Sequence, residues 1–107
     1  MNEFDELYAT ILKRKQAPEG GSYTNYLLDK GTEKICKKLG EEATEVVIAA
    51  CMQDQKELIE EISDLTYHMF VLMVSKGVTL EDVQAELACR AKKEHNLKPE
   101  RRPIEQL

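Results

Sequence analysis

Two long segments of the chain, residues 33–52 and 56–76, repeat apolar side chains at the spacing of an α-helix. Only a short polar link separates them, so we expect the two helices to pack antiparallel as a hairpin. Leu, Ala, Glu and Lys are plentiful, and the 107 residues include only 5 Gly and 3 Pro, which favours helix over strand. The sequence therefore predicts an all-α fold, an antiparallel bundle of about four helices.

Shorter elements are predicted before this hairpin. Residues 3–14 have helical periodicity, and the Pro- and Gly-containing segment 15–21 that follows is predicted to be a loop. Ser22 or Thr24 is expected to cap a short helical turn, which Gly31 ends.

Helix boundaries can be predicted from the capping residues. Thr32 is expected to cap the first long helix and Asp54 the second, which should stop at Gly77. Thr79 with an acid three residues later has the pattern of a capping box and opens a last helix over about 80–93. Gly40 lies inside the first long helix, and packing or the close approach of another element is the expected reason.

Composition limits the classes of partner. The chain carries 15 basic and 20 acidic side chains, a net charge of −5, which argues against nucleic-acid binding. A small anionic ligand remains compatible if a cation mediates. We expect one folded domain over 1–95 and a C-terminal tail over 96–107, where the periodicity fades.

Sequence features also suggest a compartment. The first residues carry acids where a signal peptide needs basic residues, and no apolar run approaches 18 residues. Cys36, Cys51 and Cys89 form no CxxC pair and are predicted to be reduced thiols in helices. The expected location is the cytoplasm, without membrane contact.

Acidic residues occur in pairs three residues apart on both long helices. With about 100° of rotation per residue, the apolar stripe of the first helix centres on Leu39 and includes Ile35, Ala43 and Ala50. Glu42 falls inside this stripe and Glu45 at its edge. On the second helix the stripe centres on Leu65, with Glu61 and His68 inside and Asp64 at the rim.

A hairpin folded near residue 54 would bring these four carboxylates together. Two carboxylates about 4 Å apart repel by roughly 4 kcal/mol at an effective dielectric near 20, so protons or a divalent cation must compensate. A site built only from oxygen ligands suits Mg²⁺ or Mn²⁺. The alternative is that the acids pair with Lys34, Lys37 and Lys38 as ordinary surface charges. His68 by its spacing is typical of a buried histidine with satisfied hydrogen bonds.

Several motifs occur in an order that points to a known family. They are SYT at 22–24, KLGEEATE at 38–45, EEISDLTYH at 60–68 and KGVTLEDV at 76–83. Over about residues 4–90 the chain resembles the phosphoribosyl-ATP pyrophosphatases of histidine biosynthesis. These belong to the MazG-like all-α nucleotide pyrophosphohydrolases, whose signature is EExxE followed by ExxD.

The resemblance implies an activity, a cofactor and the residues that bind it. The activity is Mg²⁺-dependent hydrolysis of phosphoribosyl-ATP to phosphoribosyl-AMP and pyrophosphate. The implied metal ligands are Glu42, Glu45, Glu61 and Asp64, the four residues that helical phase also selects. Glu42 or Glu45 is the expected general base.

Candidate substrate-binding residues lie around this acidic group. They share either a matching motif position or a side chain suited to phosphate, and they are Lys34, Lys38, Ser22, Tyr23, Thr24 and His68. The resemblance also implies a homodimer or higher homo-oligomer. We expect Ile48, Phe70 and Val74 to contribute to the face between two copies.

Two other functions remain open on the sequence alone. A housekeeping pyrophosphatase of the same superfamily, acting on another nucleoside triphosphate, would share the metal site. A non-catalytic helical dimer that presents an acidic face to a partner would share the fold and would show no metal effect on melting temperature.

Overall fold

The computed structural model describes residues 2–93, which form five α-helices and contain no strand. The helices are α1 (Glu3–Gln16), α2 (Tyr23–Lys30), α3 (Thr32–Cys51), α4 (Gln55–Lys76) and α5 (Leu80–Ala91). The prediction of an all-α fold is confirmed. The fifth helix arises because the expected turn before Gly31 is a helix of eight residues. The predicted boundary at residue 95 and the tail over 96–107 lie outside the described residues.

Capping side chains define most helix ends, as predicted. Ser22 accepts a hydrogen bond from the backbone N–H of the third residue of α2, and Asp54 does the same for α4. Thr79 forms a reciprocal capping box at the start of α5. Gly77 ends α4 in the left-handed region at φ 75°, where glycine has no Cβ penalty.

One expectation about α3 was wrong, and a second is not met within the described residues. Thr32 is already the first helical residue, and the cap is Gly31, which has φ 89° and offers no side chain to accept a capping hydrogen bond. The entry to α3 therefore depends on a glycine conformation rather than on a hydroxyl. A Cβ added at Gly40 would meet no atom within 4 Å, so no close approach within residues 2–93 accounts for this glycine.

The α3–α4 hairpin is the central element of the fold and makes the most extensive contact between helices. Residues 52–54 reverse the chain, with Gln53 at φ 59°. Helices α1 and α2 pack against the hairpin near the start of α3 and the end of α4. Glu45 and Glu61, although far apart in the sequence, are thereby brought level with each other.

The hydrophobic core lies at one end of the hairpin. Its buried members come from all of the first four helices and are Ile11, Leu27, Ile35, Phe70, Val71, Met73 and Val74. Two long-range hydrogen bonds fasten α1 to this end. The hydroxyl of Tyr8 donates to the carbonyl of Val78 at 2.7 Å, and the ammonium of Lys15 donates to the carbonyl of Val74 at 3.1 Å.

The buried face of α3 is rotated relative to the predicted stripe. Ile35, Glu42 and Ala49 are the buried residues, whereas Ala43 and Ala50 are not among them. The face that meets α4 therefore centres on Glu42 rather than on Leu39. A carboxylate occupies the middle of the contact between the two long helices, which hydrophobicity alone would not assign to it.

The predicted face between two copies is also partly wrong. Phe70 and Val74 belong to the core, because α1 and α2 cover them within the chain. Ile48 is exposed, as expected. The exposed apolar residues of the hairpin include Val47, Ile59 and Ile62, and α5 has no buried residue at all.

Two further features concern the character of the helices and their cysteines. None of the helices within residues 2–93 combines the length and the apolar character needed to cross a bilayer. Cys36, Cys51 and Cys89 all lie in helices as free thiols, and all three are exposed.

Candidate metal and substrate site

Three carboxylates meet where α3 and α4 cross. Glu42 and Glu45 are three residues apart on α3 and therefore share one face, and Glu61 approaches from α4. Each offers an oxygen, and these oxygens all lie within 4.8 Å of one another. Within the described residues this is the one such group of potential metal ligands.

Burial within this acidic group is uneven. Glu42 is buried, Glu61 is half-buried and Glu45 is exposed, so the group is open on the Glu45 side. The Oε2 atoms of Glu42 and Glu61 have almost no accessible surface and no hydrogen-bond partner within residues 2–93. A buried acceptor without a partner is costly, typically about 1–3 kcal/mol, and more when it carries charge.

The proximity of the carboxylates raises their pKa values. The pKa of Glu61 rises from its usual 4.5 to about 7, mainly because its carboxyl can hydrogen-bond to that of Glu45 only when one of the two is protonated, with burial and the neighbouring negative charges adding to the effect. Burial is the main cause that raises the pKa of Glu42, followed by the hydrogen bond that its protonated carboxyl could make with Glu45 and by the charge of Glu45. The group therefore retains protons near neutral pH unless a cation replaces them.

Asp64 lies one turn beyond Glu61 on α4 and is exposed. Its charge contributes to the raised pKa values of Glu42 and Glu61, so it is electrostatically part of the group. Its carboxylate is not within the 4.8 Å cluster. The structure thus brings together three of the four predicted ligands and leaves the fourth at the rim.

Ion pairs do not neutralise these acids within residues 2–93. The salt bridges in this range join Arg14 to Glu19, Lys38 to Glu41, and Arg90 to Glu86. None includes a member of the acidic group. The alternative in which Lys34, Lys37 and Lys38 pair with these acids is therefore wrong.

The donor set of the acidic group fits a hard divalent cation. All candidate ligand atoms are carboxylate oxygens, which Mg²⁺ and Mn²⁺ prefer, and the two orphaned oxygens would gain the partner they lack. The exposed side near Glu45 would leave coordination positions for water or for a phosphate oxygen. Glu42, Glu45 and Glu61 are thus the residues able to hold such an ion.

Helix α2 begins at the SYT motif and packs against both long helices. Its entry loop is fixed by buried Asn25, whose side chain accepts from the backbone N–H of Glu19 at 2.9 Å and donates to the carbonyl of Arg14 at 2.9 Å. The hydroxyl of Ser22 accepts the capping hydrogen bond from the backbone of Asn25 at 3.2 Å. Tyr23 and Thr24 therefore occupy the first turn of a well-anchored helix.

Both of these first-turn side chains bond to α4. The hydroxyl of Tyr23 lies 3.1 Å from Nε2 of His68. The hydroxyls of Thr24 and Tyr67 form a second, short hydrogen bond. His68 is buried, and its Nδ1 lies 2.8 Å from the carbonyl oxygen of Asp64. These contacts connect the predicted SYT residues to the turn of α4 that carries the acids.

The two predicted lysines lie on α3, one turn apart. Lys38 pairs with Glu41 at 3.3 Å, and this hydrogen bond is the main cause that raises its pKa, with Tyr23 and Glu42 contributing as neighbours. Its ammonium thus lies at the edge of the acidic group. Lys34 is half-buried one turn earlier.

Two residues that shape this site are absent from the set predicted by sequence. Tyr67 packs on His68 with ring centroids 5.0 Å apart and bonds to Thr24. Its position next to His68 in the EEISDLTYH motif could have identified it as a candidate site residue. Asn25 is the second such residue, and nothing in its sequence position distinguishes a buried loop anchor from an ordinary helix residue.

Comparison with known proteins gives one consistent result. Residues 4–91 match the family model described as phosphoribosyl-ATP pyrophosphohydrolase. This range includes nearly all of the five helices and every predicted site residue.

Individual relatives agree with this match. A protein of Clostridium novyi (strain NT) named phosphoribosyl-ATP pyrophosphatase is 54% identical over 103 residues, which cover 96% of this chain and 94% of that protein. The protein of the same name from Listeria monocytogenes serotype 4a (strain HCC23) is 58% identical over 86 residues, covering 80% and 82%. That of Streptococcus gordonii is 54% identical over 93 residues, covering 87% and 89%. The chain belongs to the phosphoribosyl-ATP pyrophosphohydrolase family.

Proposed function

We propose that this protein hydrolyses phosphoribosyl-ATP to phosphoribosyl-AMP and pyrophosphate, a step of histidine biosynthesis, with Mg²⁺ as its cofactor. The family match and the names of relatives above 50% identity support the reaction and its substrate. The observation that carries the cofactor is the acidic group, in which two buried carboxylate oxygens lack any partner within residues 2–93.

The metal ligands in this proposal are Glu42, Glu45 and Glu61, with Asp64 as the fourth carboxylate at the rim. A bound Mg²⁺ would neutralise negative charge on the phosphate oxygens of the substrate. Mn²⁺ has the same ligand preference and should substitute for it. The carboxylates of the acidic group would repel the phosphates of the substrate, and a bound cation would offset this repulsion.

Water is the nucleophile, and its attack on a phosphorus atom of the triphosphate releases pyrophosphate. Glu42 or Glu45 accepts the proton that the water loses. Glu45 is the better candidate because it is exposed, whereas Glu42 is buried between the helices. In this assignment Glu42 fixes the inner side of the site and Glu45 faces the incoming water.

The remaining predicted residues would contact the substrate from α2 and α3. Lys38 and Lys34 supply positive charge beside the acidic group, as point charges suited to phosphate. Ser22 uses an acceptor lone pair for helix capping, so its hydroxyl proton is still free for a phosphate oxygen. Thr24 and Tyr23 hydrogen-bond to α4, and these bonds would set the position in which their side chains contact the substrate.

The direct test is pyrophosphate release from phosphoribosyl-ATP by the purified protein, with Mg²⁺ and with a chelator. We expect release only with the divalent cation. A panel of modified nucleoside triphosphates in the same assay tests the housekeeping alternative, which predicts faster turnover of one of those compounds. Absence of release with every substrate, together with no metal effect on melting, would favour the non-catalytic dimer.

We also propose that two or more copies associate in solution. Helix α5 has twelve residues and none of them is buried, and isolated helices of this length are marginal in water. Val47, Ile59 and Leu87 each expose more than half of their surface. Contact between copies would cover these residues, as the apolar faces of small bundles require.

Sedimentation at micromolar concentration tests this association. The expected result is a dimer or a higher oligomer, and Leu87→Asp should shift the equilibrium toward the monomer. A monomeric parent protein at that concentration would contradict the proposal. The three exposed free thiols fit a location in the cytoplasm, where such thiols stay reduced.

A further inference from the structure

His68 is the one buried histidine in the described part of the chain, and only 5% of its surface is exposed. A side chain so enclosed has little surface to offer a substrate. Tyr67 packs against its ring face-to-edge at 5.0 Å, and Tyr23 does so at 5.9 Å. The sequence places His68 among the candidate substrate-binding residues, whereas its burial points to a different role.

The hydrogen bonds of His68 define its tautomer. A backbone carbonyl can only accept, so Nδ1, which lies 2.8 Å from the carbonyl oxygen of Asp64, must carry a proton. In the neutral ring Nε2 is then an acceptor. The hydroxyl of Tyr23, 3.1 Å away, donates its single proton to it.

Tyr23 is the exposed end of this chain of hydrogen bonds. It keeps 46% of its surface exposed, and its hydroxyl retains acceptor lone pairs after donating to His68. Its ring is stacked on Tyr67 with centroids 6.1 Å apart and an angle of 22°. The side chain is therefore held from the inside and half-exposed on the outside, close to Lys38, which also has Glu42 as a neighbour.

We propose that His68 is a positioning residue, which acts by holding the hydroxyl of Tyr23 toward the substrate and makes no substrate contact itself. The bond from Nδ1 to the Asp64 carbonyl fixes the ring on the same turn of α4 that supports the acidic group. The bond from Tyr23 to Nε2 then transmits that position to α2. The substrate contact belongs to Tyr23, whose hydroxyl has given its proton to His68 and therefore accepts a hydrogen bond from a substrate donor, a ribose hydroxyl or an adenine N–H, and not from a phosphate oxygen. The expected change in KM rests on the proposed function, whereas the hydrogen bonds of His68 do not depend on it.

A double-mutant cycle tests the kinetic consequence. Tyr23→Phe keeps the stacked ring and removes the hydroxyl, and we expect KM for phosphoribosyl-ATP to rise about fivefold with kcat little changed, the size of one lost hydrogen bond. His68→Leu should raise KM by a similar factor. The double variant should be no worse than either single variant, because both act through one bond.

Two further variants separate positioning from general structural damage. His68→Gln offers an amide oxygen near the position of Nε2 and should restore KM toward the parent value. Tyr26→Phe removes the hydroxyl of the neighbouring stacked tyrosine and should leave KM unchanged. Additive effects in the cycle, about twenty-five-fold for the double variant, would mean that His68 contacts the substrate independently.

Nitrogen NMR of the histidine rings supplies a readout that needs no activity. The chain has 2 histidines, so a His95→Gln variant assigns the signals. We expect the Nδ1-protonated tautomer for His68, and a shift of Nε2 in Tyr23→Phe but not in Tyr26→Phe. An Nε2-protonated tautomer would overturn the proposal, as would a parental KM in Tyr23→Phe. If the parent protein releases no pyrophosphate, the proposed function fails while the NMR result still decides the hydrogen-bond arrangement.

Discussion

The two halves of α4 differ sharply in what surrounds them. In the C-terminal half, Phe70, Val71 and Val74 are buried against the first three helices. In the N-terminal half, Ile59 and Ile62 remain exposed on the outer side. The side of this half that faces α3 carries Glu61 in place of an apolar residue.

This division separates the residues that stabilise the fold from those of the proposed active site along one helix. The C-terminal half supplies burial that stabilises the chain, at about 25 cal/mol per Å² of apolar surface. The N-terminal half faces like charges that oppose folding, and two buried oxygens without partners in the described residues. The N-terminal half of α4 can keep its acidic side chains close together because the buried C-terminal half anchors the helix. We therefore expect the two halves to respond differently to substitution, pH and metal.

The largest expected difference between the halves is in stability. Phe70→Ala should lower the free energy of unfolding by about 3–5 kcal/mol, because Phe70 packs edge-on against Phe4 and Tyr8 in the core. Ile62→Ala in the other half should cost only about 0.5 kcal/mol in dilute protein. Urea unfolding of both variants measures this contrast.

An equal loss in the two variants at all protein concentrations would contradict the division. A loss for Ile62→Ala that grows with protein concentration would instead sharpen it, because Ile62 would then be covered by a second copy.

The activity should show the reverse dependence. Glu61→Gln should reduce pyrophosphate release by about a hundredfold or more, because it removes one of the three proposed metal ligands. Asp64→Asn should have a strong effect in the same direction, through the charge at the rim. Glu60→Gln changes the adjacent exposed acid and should retain activity, which makes it the matched control. Parental turnover in Glu61→Gln would show that the acidic group is not the active site.

The features of the two long helices that depend on neighbouring residues in the chain could be predicted from the sequence. Helical periodicity and capping residues predicted the long helices and the caps at Ser22, Asp54 and Thr79, because these depend on contacts between near neighbours. Glu42 and Glu45 could be paired in the same way, because residues three apart share one face of a helix.

The sequence could not show which helices pack against each face of α3 and α4. Phe70 and Val74 were assigned to an outer face because periodicity does not show that α1 and α2 cover them. The stripe of α3 was centred on Leu39 because hydrophobicity favours an apolar centre, whereas the contact with α4 centres on Glu42. The bond between Tyr23 and His68 spans 45 positions, and no local pattern encodes it.

The smallest expected effect is the pH dependence of stability without metal. The pKa of Glu61 is raised to about 7 in the folded protein, so the folded state binds a proton more tightly than the unfolded state, where the pKa is near 4.5. The stabilisation is fully present below pH 4.5 and is lost as the pH rises through about 7. Thermal unfolding in a chelator should show a melting temperature that falls across this interval. In Glu61→Gln the fall should be weaker, and an identical profile would contradict the coupling of these carboxylates.

The most direct test of the acidic group as a divalent-cation site is the melting temperature at about pH 8 during a Mg²⁺ titration at constant ionic strength. A ligand that binds only the folded state stabilises it by RT ln(1 + [L]/Kd). We predict that the melting temperature of the parent protein and of Glu60→Gln rises with Mg²⁺, while that of Glu61→Gln stays nearly constant. An unchanged melting temperature in the parent protein, or an equal rise in Glu61→Gln, would contradict the account.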